Sequence, residues 1–315
     1  MQQVAALVGN TPAGTTFAAR VAALTASAPK AQPGLMIGGS GLAPAMDGLA
    51  AGWLRLAGMK VGRGCEISSL IDTVPELVEI GDQTFCADGI YLGGARIHRG
   101  TVNLAPTRLG ANNHVFQFAS IGDAPQDKKY KGEPTRVEIG DGNVFREYVT
   151  VNRGTTHDKA ITRIGSDNLF MASSHVAHDC IVGSHCVFAN LATLGGHVEV
   201  DDHVILAGFT GVHQFCKIGA HAFIANNTAV TRDVPPYVMA VGHPAEPHSI
   251  NATGLSRRGF SPEQVRNIKN AFRTLYREGL PLETAIGRLR EAAATQPELV
   301  PFVEFIGRST RSLIR

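Results

Sequence analysis

Aromatic residues are scarce in this chain: 6% of its 315 residues are Phe, Trp or Tyr, and only one is Trp. A nucleic-acid surface built on stacked rings has little to draw on, and no nucleic-acid partner is expected. Charge is also sparse, 18% Asp, Glu, Lys and Arg with a formal net of +2. The five cysteines form no Cys-x-x-Cys pair. Cys180, Cys186 and Cys216 read instead as small buried hydrophobes in a reducing cytosol. The N-terminus lacks the basic stretch and apolar core of a secretory leader, so the expected location is cytoplasmic. The apolar segment from Gly34 to Met59 is broken by Asp47, Arg55 and several glycines, which argues against a membrane span. An amphipathic segment lying on a surface stays open there.

Glycine, by contrast, is abundant, 35 residues, as expected of a chain that turns every few positions. The turning has a period. Every sixth residue from Val176 is bulky and apolar: Val182, Phe188, Leu194, Val200, Leu206, Val212, Ile218, Ile224 and Val230 follow. Four positions after each stands a compact residue, from Cys180 and Cys186 through Ala192 and Val198 to Thr228 and Val234. Six matches neither a helix nor a hairpin meander. It is the period of a hexapeptide β-helix, in which three short strands close a triangular coil of about eighteen residues and successive coils stack at strand spacing. One hexad buries nothing alone, so the core exists only in the stack.

The period is worn toward the N-terminus. Val61-Gly62, Ile80-Gly81, Leu92-Gly93 and Leu109-Gly110 read as coil starts at irregular gaps; Ile121-Gly122 and Ile139-Gly140 stand one coil length apart, and Ile164-Gly165 follows. Two insertions, Asp123–Thr135 and Gly154–Thr162, must leave the prism as loops, where binding residues tend to sit. After Pro235-Pro236 the period stops. Ser261-Pro262-Glu263-Gln264 reads as a helix start with a capping box, and Val265, Ile268, Phe272, Leu275 and Tyr276 recur at helical spacing. Leu282, Ile286 and Leu289 mark a second helix; Leu299, Val303 and Ile306 mark a third. The expected domains are an accessory, loosely ordered segment 1–58, a β-helix over 59–250, and a helical domain over 251–315. That last domain covers the open strand edge of the final coil. Residues 252–315 carry eleven Lys/Arg against six Asp/Glu, a surface suited to an acidic partner or simply a solvated helical face.

Seven of the twelve histidines fall between His175 and His221. Eighteen-residue arithmetic puts His178, Gly196 and Gln214 in one column and His197 beside Asp179, with His175 and His213 adjoining. An imidazole, a carboxylate and a backbone N–H without a side chain are a general base, its orienter and an oxyanion donor. The plain alternative is that outward turns tolerate histidine. A metal reading would use His175, His178 and Cys180, but Cys180 takes the inward slot; no metal and no cofactor is expected.

Eight stretches then become recognisable in order: Gln117–Gly122, Gly132–Asp141, Asn152–Thr155, His175–Cys180, Gly211–Gly219, Asp233–Val238, Leu255–Phe260 and Arg308–Arg315. From about Leu109 onward the chain closely resembles the acyl-carrier-protein:UDP-N-acetylglucosamine O-acyltransferases that open lipid A biosynthesis. The resemblance implies an all-β, left-handed parallel β-helix with a C-terminal α-helical domain, assembled as a homotrimer. It implies that a 3-hydroxyacyl group passes from acyl carrier protein to the sugar 3-hydroxyl, with His178 as base, Asp179 orienting it and the Gly196 amide holding the oxyanion. Asp127, Lys129, His175, His197, His213 and Gln214 match residues holding the nucleotide sugar, and Arg257 and Arg258 match residues on the nucleotide and its phosphates. At Asn226, relatives that accept longer acyl chains have Gly, which implies an acyl-chain ruler. Val61–Gly110 instead looks similar to hexapeptide modules of peptide-synthetase-like adenylating proteins, as in a fusion joined near Leu109–Asn113; His243-Pro244 also departs from the pattern. The rival readings are the pathway's later N-acyltransferase, which would lack Arg257-Arg258 and the helical tail, and a non-catalytic trimeric scaffold.

Overall fold

The six-residue period becomes three parallel walls. The computed structural model describes residues 43–71, 73, 75–93, 96–98, 101–103 and 106–315; residues 1–42, most of the expected accessory segment, lie outside them. The first wall has eight strands, from Lys60–Val61 to Lys217–Ile218; the second has seven, from Tyr91–Leu92 to Ala229–Val230; the third has ten, from Glu66–Ile67 to Glu246–Ile250, the last of which joins Val238–Val241 antiparallel. Val176 pairs with Leu194, Val182 with Val200 and Phe188 with Leu206, so eighteen residues complete a coil. The fold is a left-handed parallel β-helix with a C-terminal helical region.

All ten bulky hexad residues and all ten compact ones are buried. The residue before each of the first nine compact ones turns the chain through positive φ: Asp179, His185, Leu191, His197, His203, Phe209, Phe215, His221 and Asn227 all lie between 55° and 66°. Side chains with a Cβ pay about 1 kcal/mol for that conformation. Stacking along the corners offsets it, with His203 4.7 Å from both His185 and His221 and Phe215 4.3 Å from His197 between ring centroids. Inside, Asn113, Asn143 and Asn168 form a buried ladder. Each Oδ1 accepts from the backbone N–H one coil on, at 2.9 Å, 3.0 Å and, to Cys186, 2.7 Å.

The N-terminal coils belong to the same prism. Leu109 pairs with both Ile80 and Ile139, so the first wall runs unbroken through the expected junction. The eighteen-residue gap between Ile121 and Ile139 is not a coil, however. Ile121 sits on the second wall beside Leu92 and Val151, and Ile139 on the first, because the insertion between them consumes the spacing. Leu92 likewise belongs to the second wall, apart from Val61, Ile80 and Leu109 on the first. Within the segment 1–58 expected to be loosely ordered, Ala43–Leu56 forms a helix, α1. Its Ala51 is buried, and Arg55 donates to the Val61 and Gly62 carbonyls, which fixes α1 over the first coil.

At the other end, α2 (Ala252–Arg257), α3 (Pro262–Tyr276), α4 (Leu282–Ala293) and α5 (Val300–Arg308) pack on the final coils. The Ser261–Gln264 capping box starts α3 as read from sequence: Ser261 Oγ accepts from the Gln264 N–H, and Gln264 Oε1 from the Ser261 N–H. α2 was not expected. Asp233, fully buried, fastens the C-terminal tail: its carboxylate accepts from the Ser309 hydroxyl at 2.6 Å and from the Thr310 and Arg311 N–H groups.

Candidate active site

Where the second wall turns into the first, the coils bear a cleft of about 890 Å³. Both insertions leave the prism at this corner, since Ser120–Asp123 and Thr150–Asn152 lie on the second wall and Arg136–Ile139 and Ile161–Ile164 on the first. Asp127 and Lys129 from the first insertion line it, together with His157, Asp158 and Lys159 from the second. His178, His197 and Gln214 line its floor on three successive coils. Arg153, almost fully buried, holds the first insertion down: Nε donates to the Tyr130 hydroxyl and Nη1 to the Gly122 carbonyl, both at 3.0 Å.

His178 is 6% exposed and Asp179 not at all, so the pair is less open than a turn position suggests. Asp179 Oδ2 lies 3.0 Å from His178 Nδ1 and also accepts the Thr155 hydroxyl at 2.7 Å. The Thr155 N–H reaches both carboxylate oxygens, at 3.0 and 2.9 Å. Burial alone would raise the Asp179 pKa; the donors from His178 and Thr155 overcome it and hold the carboxyl below its usual range. An ionised carboxylate can only accept, so the proton of the neutral His178 imidazole sits on Nδ1 and its lone pair on Nε2. Gly196 abuts this ring: a Cβ there would stand 2.5 Å from Cε1 and 2.6 Å from Nε2.

A second imidazole–carboxylate pair lies beside the first. His197 Nδ1 is 2.7 Å from Asp158 Oδ2, and its ring meets that of His178 edge to face at 4.9 Å. Neither Asp158 nor Thr155 was singled out from sequence. Both sit in or beside an insertion whose destination no period reveals. His178, Asp179 and His197 each offer one ligand atom within 4.8 Å of the others, the one such cluster among the described residues. The Asp179 carboxylate and both Nδ1 atoms are already engaged, leaving a metal little beyond two Nε2 atoms. Cys180 stays inside the prism, where burial pushes its thiol up to about 12.

The remaining candidates disperse. His175 faces outward on the second wall, its Nδ1 2.7 Å from Thr150 Oγ1; burial, and then His178, push its pKa down. His213 takes a hydrogen bond at Nδ1 from Arg311 Nη1 at 2.9 Å. Arg257 and Arg258 close α2 near the corner between the first and third walls, where Phe260 meets His221 at 5.2 Å. Arg258 Nη1 is buried there without a partner. Asn226 is exposed at the third corner, beside Phe209 and Leu191. In one chain, therefore, one corner gathers Asp127, Lys129, His178, Asp179, Gly196, His197 and Gln214, and two others hold Arg258 and Asn226.

Residues 233–314 match the family described as UDP-N-acetylglucosamine O-acyltransferase, domain 2, and residues 161–196 match bacterial transferase hexapeptide repeats. The chain is 53% identical over 203 residues to the acyl-[acyl-carrier-protein]–UDP-N-acetylglucosamine O-acyltransferase of Thiobacillus denitrificans, covering 64% of this chain and 79% of that one. The chain belongs to this family of hexapeptide acyltransferases. Its Janthinobacterium sp. relative of the same name is 54% identical over 209 residues, 65% of this chain and 80% of the relative. Among solved structures, LpxA from Acinetobacter baumannii superposes with a TM-score of 0.71 at 39% identity, over 82% of this chain and 93% of that one. The Campylobacter jejuni UDP-N-acetylglucosamine acyltransferase gives 0.72 at 32%, over 82% and 95%. The structural matches reach 82% of this chain, where the sequence matches reach 64% and 65%.

Proposed function

We propose that this acyltransferase moves a 3-hydroxyacyl group from the thioester of acyl carrier protein to the 3-hydroxyl of UDP-N-acetylglucosamine, the first step of lipid A synthesis. The observation that carries the reading is the Asp179–His178–Gly196 arrangement. With Nδ1–H held by Asp179, His178 Nε2 is free to take the proton of the sugar hydroxyl. The oxygen attacks the thioester carbonyl, and the Gly196 N–H stabilises the charge on the tetrahedral oxygen. Collapse expels the carrier thiolate, which recovers the proton from the imidazolium. Thr155 stabilises the charge of Asp179 and so the imidazolium formed midway.

The dispersal of the other residues supports a homotrimer with substrates in clefts between prisms, and the cytoplasm is the location proposed for it. His178 and Arg258 stand at different corners of one chain, so an arginine fork on the sugar-nucleotide diphosphate would come from a neighbouring copy. Asp127, Lys129, His175, His197, His213 and Gln214 would hold the sugar nucleotide from the His178 side. The basic helical region, residues 251–315, would receive the acidic carrier protein, and the β-helix over 59–250 would carry the chemistry. Purified protein is to be incubated with UDP-N-acetylglucosamine and a 3-hydroxyacyl carrier protein. Formation of the 3-O-acyl sugar nucleotide supports the reading; binding of both substrates without turnover sinks it in favour of a scaffold.

A further inference from the structure

We infer that Asp158 is a positioning residue for the acyl transfer: it fixes His197 with its proton on Nδ1, so that Nε2 faces the cleft as a hydrogen-bond acceptor. This rests on the proposed function for its meaning but on geometry for its substance. The Asp158 Oδ2 to His197 Nδ1 distance is 2.7 Å, in the range of charge-assisted hydrogen bonds. Burial would raise the Asp158 carboxyl, but the His197 and Lys159 donors bring it below its usual range. Ionised, it has no proton to give, and the tautomer of His197 follows.

The pair is anchored on every side. Lys159 Nζ spans Asp158 at 3.1 Å and Glu199 at 3.7 Å, and Glu199 also receives Lys217 Nζ at 2.6 Å. The insertion that carries Asp158 is thereby tied to two strands of the first wall. Phe215 lies flat against the His197 ring, 4.3 Å away and 4° from parallel, so the ring cannot tilt out of line. The His197 side chain is only 11% exposed. The cleft then holds two imidazoles oriented in the same way by carboxylates from different segments. His178 at 4.9 Å, with its own Nδ1 held, has a lone pair for the reacting hydroxyl, while His197 Nε2 offers an acceptor for a second donor of the same ligand, a sugar hydroxyl or amide N–H.

Two measurements test this, and they fail independently. In the full-length protein without substrate, long-range ¹⁵N–¹H correlation spectra of the histidines report tautomers directly. His197 is expected as the Nδ1–H form, shifting toward Nε2–H in Asp158→Ala and staying put in Asp158→Asn, whose amide oxygen can still accept. In steady-state assays, Asp158→Ala should raise KM for the sugar nucleotide about three- to tenfold, as for one lost hydrogen bond, with kcat changed less than KM. Asp158→Asn should restore most of the affinity. An Nε2–H tautomer in the wild type, or an unmoved tautomer and unmoved KM in Asp158→Ala, overturns the assignment. Absence of turnover in the wild type would remove the proposed function and leave the tautomer result standing.

Discussion

The His178 imidazole occupies the space that a side chain on Gly196 would need. A Cβ at 196 would stand 2.5 Å from His178 Cε1, closer than any real contact, and Asp179 and Thr155 leave the ring no slack on its other edge. Gly196→Ala should therefore displace the base while leaving the backbone N–H in place. The expected result is a fall in kcat of about a hundredfold, comparable to losing an oxyanion donor, with the melting temperature little changed. A variant within threefold of wild type would mean the ring moves freely and its position is not critical.

His178→Ala removes the proposed base itself. Turnover should drop by about 10²–10⁴-fold, the range for positioned proton transfer. A histidine on an open outward turn would cost the fold nothing when removed. The ring is in fact buried, and its loss strips Asp179 of one of its donors. Thr155 retains the carboxylate, so a cost of about 1–3 kcal/mol is expected, visible in denaturant unfolding. Activity near wild type would remove His178 from the mechanism.

The prism was readable because its core has one simple requirement, a bulky residue every sixth position, and ten in a row satisfy it from Val176 to Val230. The column arithmetic worked for the same reason, bringing Gly196 onto His178 and His197 beside it. It failed where insertions intervene. Ile121 and Ile139 have coil spacing and lie on different walls, since a loop leaves no periodic trace. Asp158 reaches His197 across 39 residues, from a loop whose end point depends on packing. Positive φ at Leu191, Phe209 and Phe215 was equally hidden, because these residues do not favour that conformation; at Phe215 the flat stack on His197 helps to make it tolerable. The helix α1 was obscured by its glycines, and packing of Ala51 and Leu54 on the first coil overrides their weak propensity.

The corner between the first and third walls should make the protein acid-sensitive. Burial, reinforced by His203 and Arg258 and opposed by Asp202, pushes the His221 imidazole down to about 4. In the unfolded chain it titrates near 6.5. Between those values the unfolded chain binds the proton and the folded chain does not, so stability falls as pH drops through this window and levels off below it. With solvent screening, the effect is on the order of 1–2 kcal/mol. His221→Phe keeps the stack with His203 and Tyr237 and should flatten the pH dependence of the melting temperature between pH 7 and 4. An unchanged slope in that variant would assign the acid loss to other groups.

Asn226 offers a test of donor selection. It is exposed at the corner where the third wall meets the second, one coil beyond Gly208, and a Cβ on Gly208 would lie 3.0 Å from its Oδ1. The surrounding corner is apolar, with Leu191 43% and Phe209 61% exposed. An acyl chain running along that edge would meet the Asn226 amide as a polar stop. Each further methylene beyond it would have to forgo burial of about 0.8 kcal/mol. Asn226→Gly removes the obstruction, and two further methylenes on the donor should then gain about tenfold in kcat/KM relative to wild type. Asn227, next in sequence, already supplies the positive-φ turn at 55°, so the substitution should not cost the fold its corner. Competition between 3-hydroxyacyl donors of different length decides the matter: the same preference in wild type and Asn226→Gly would leave Asn226 as a turn residue with no part in measuring the chain.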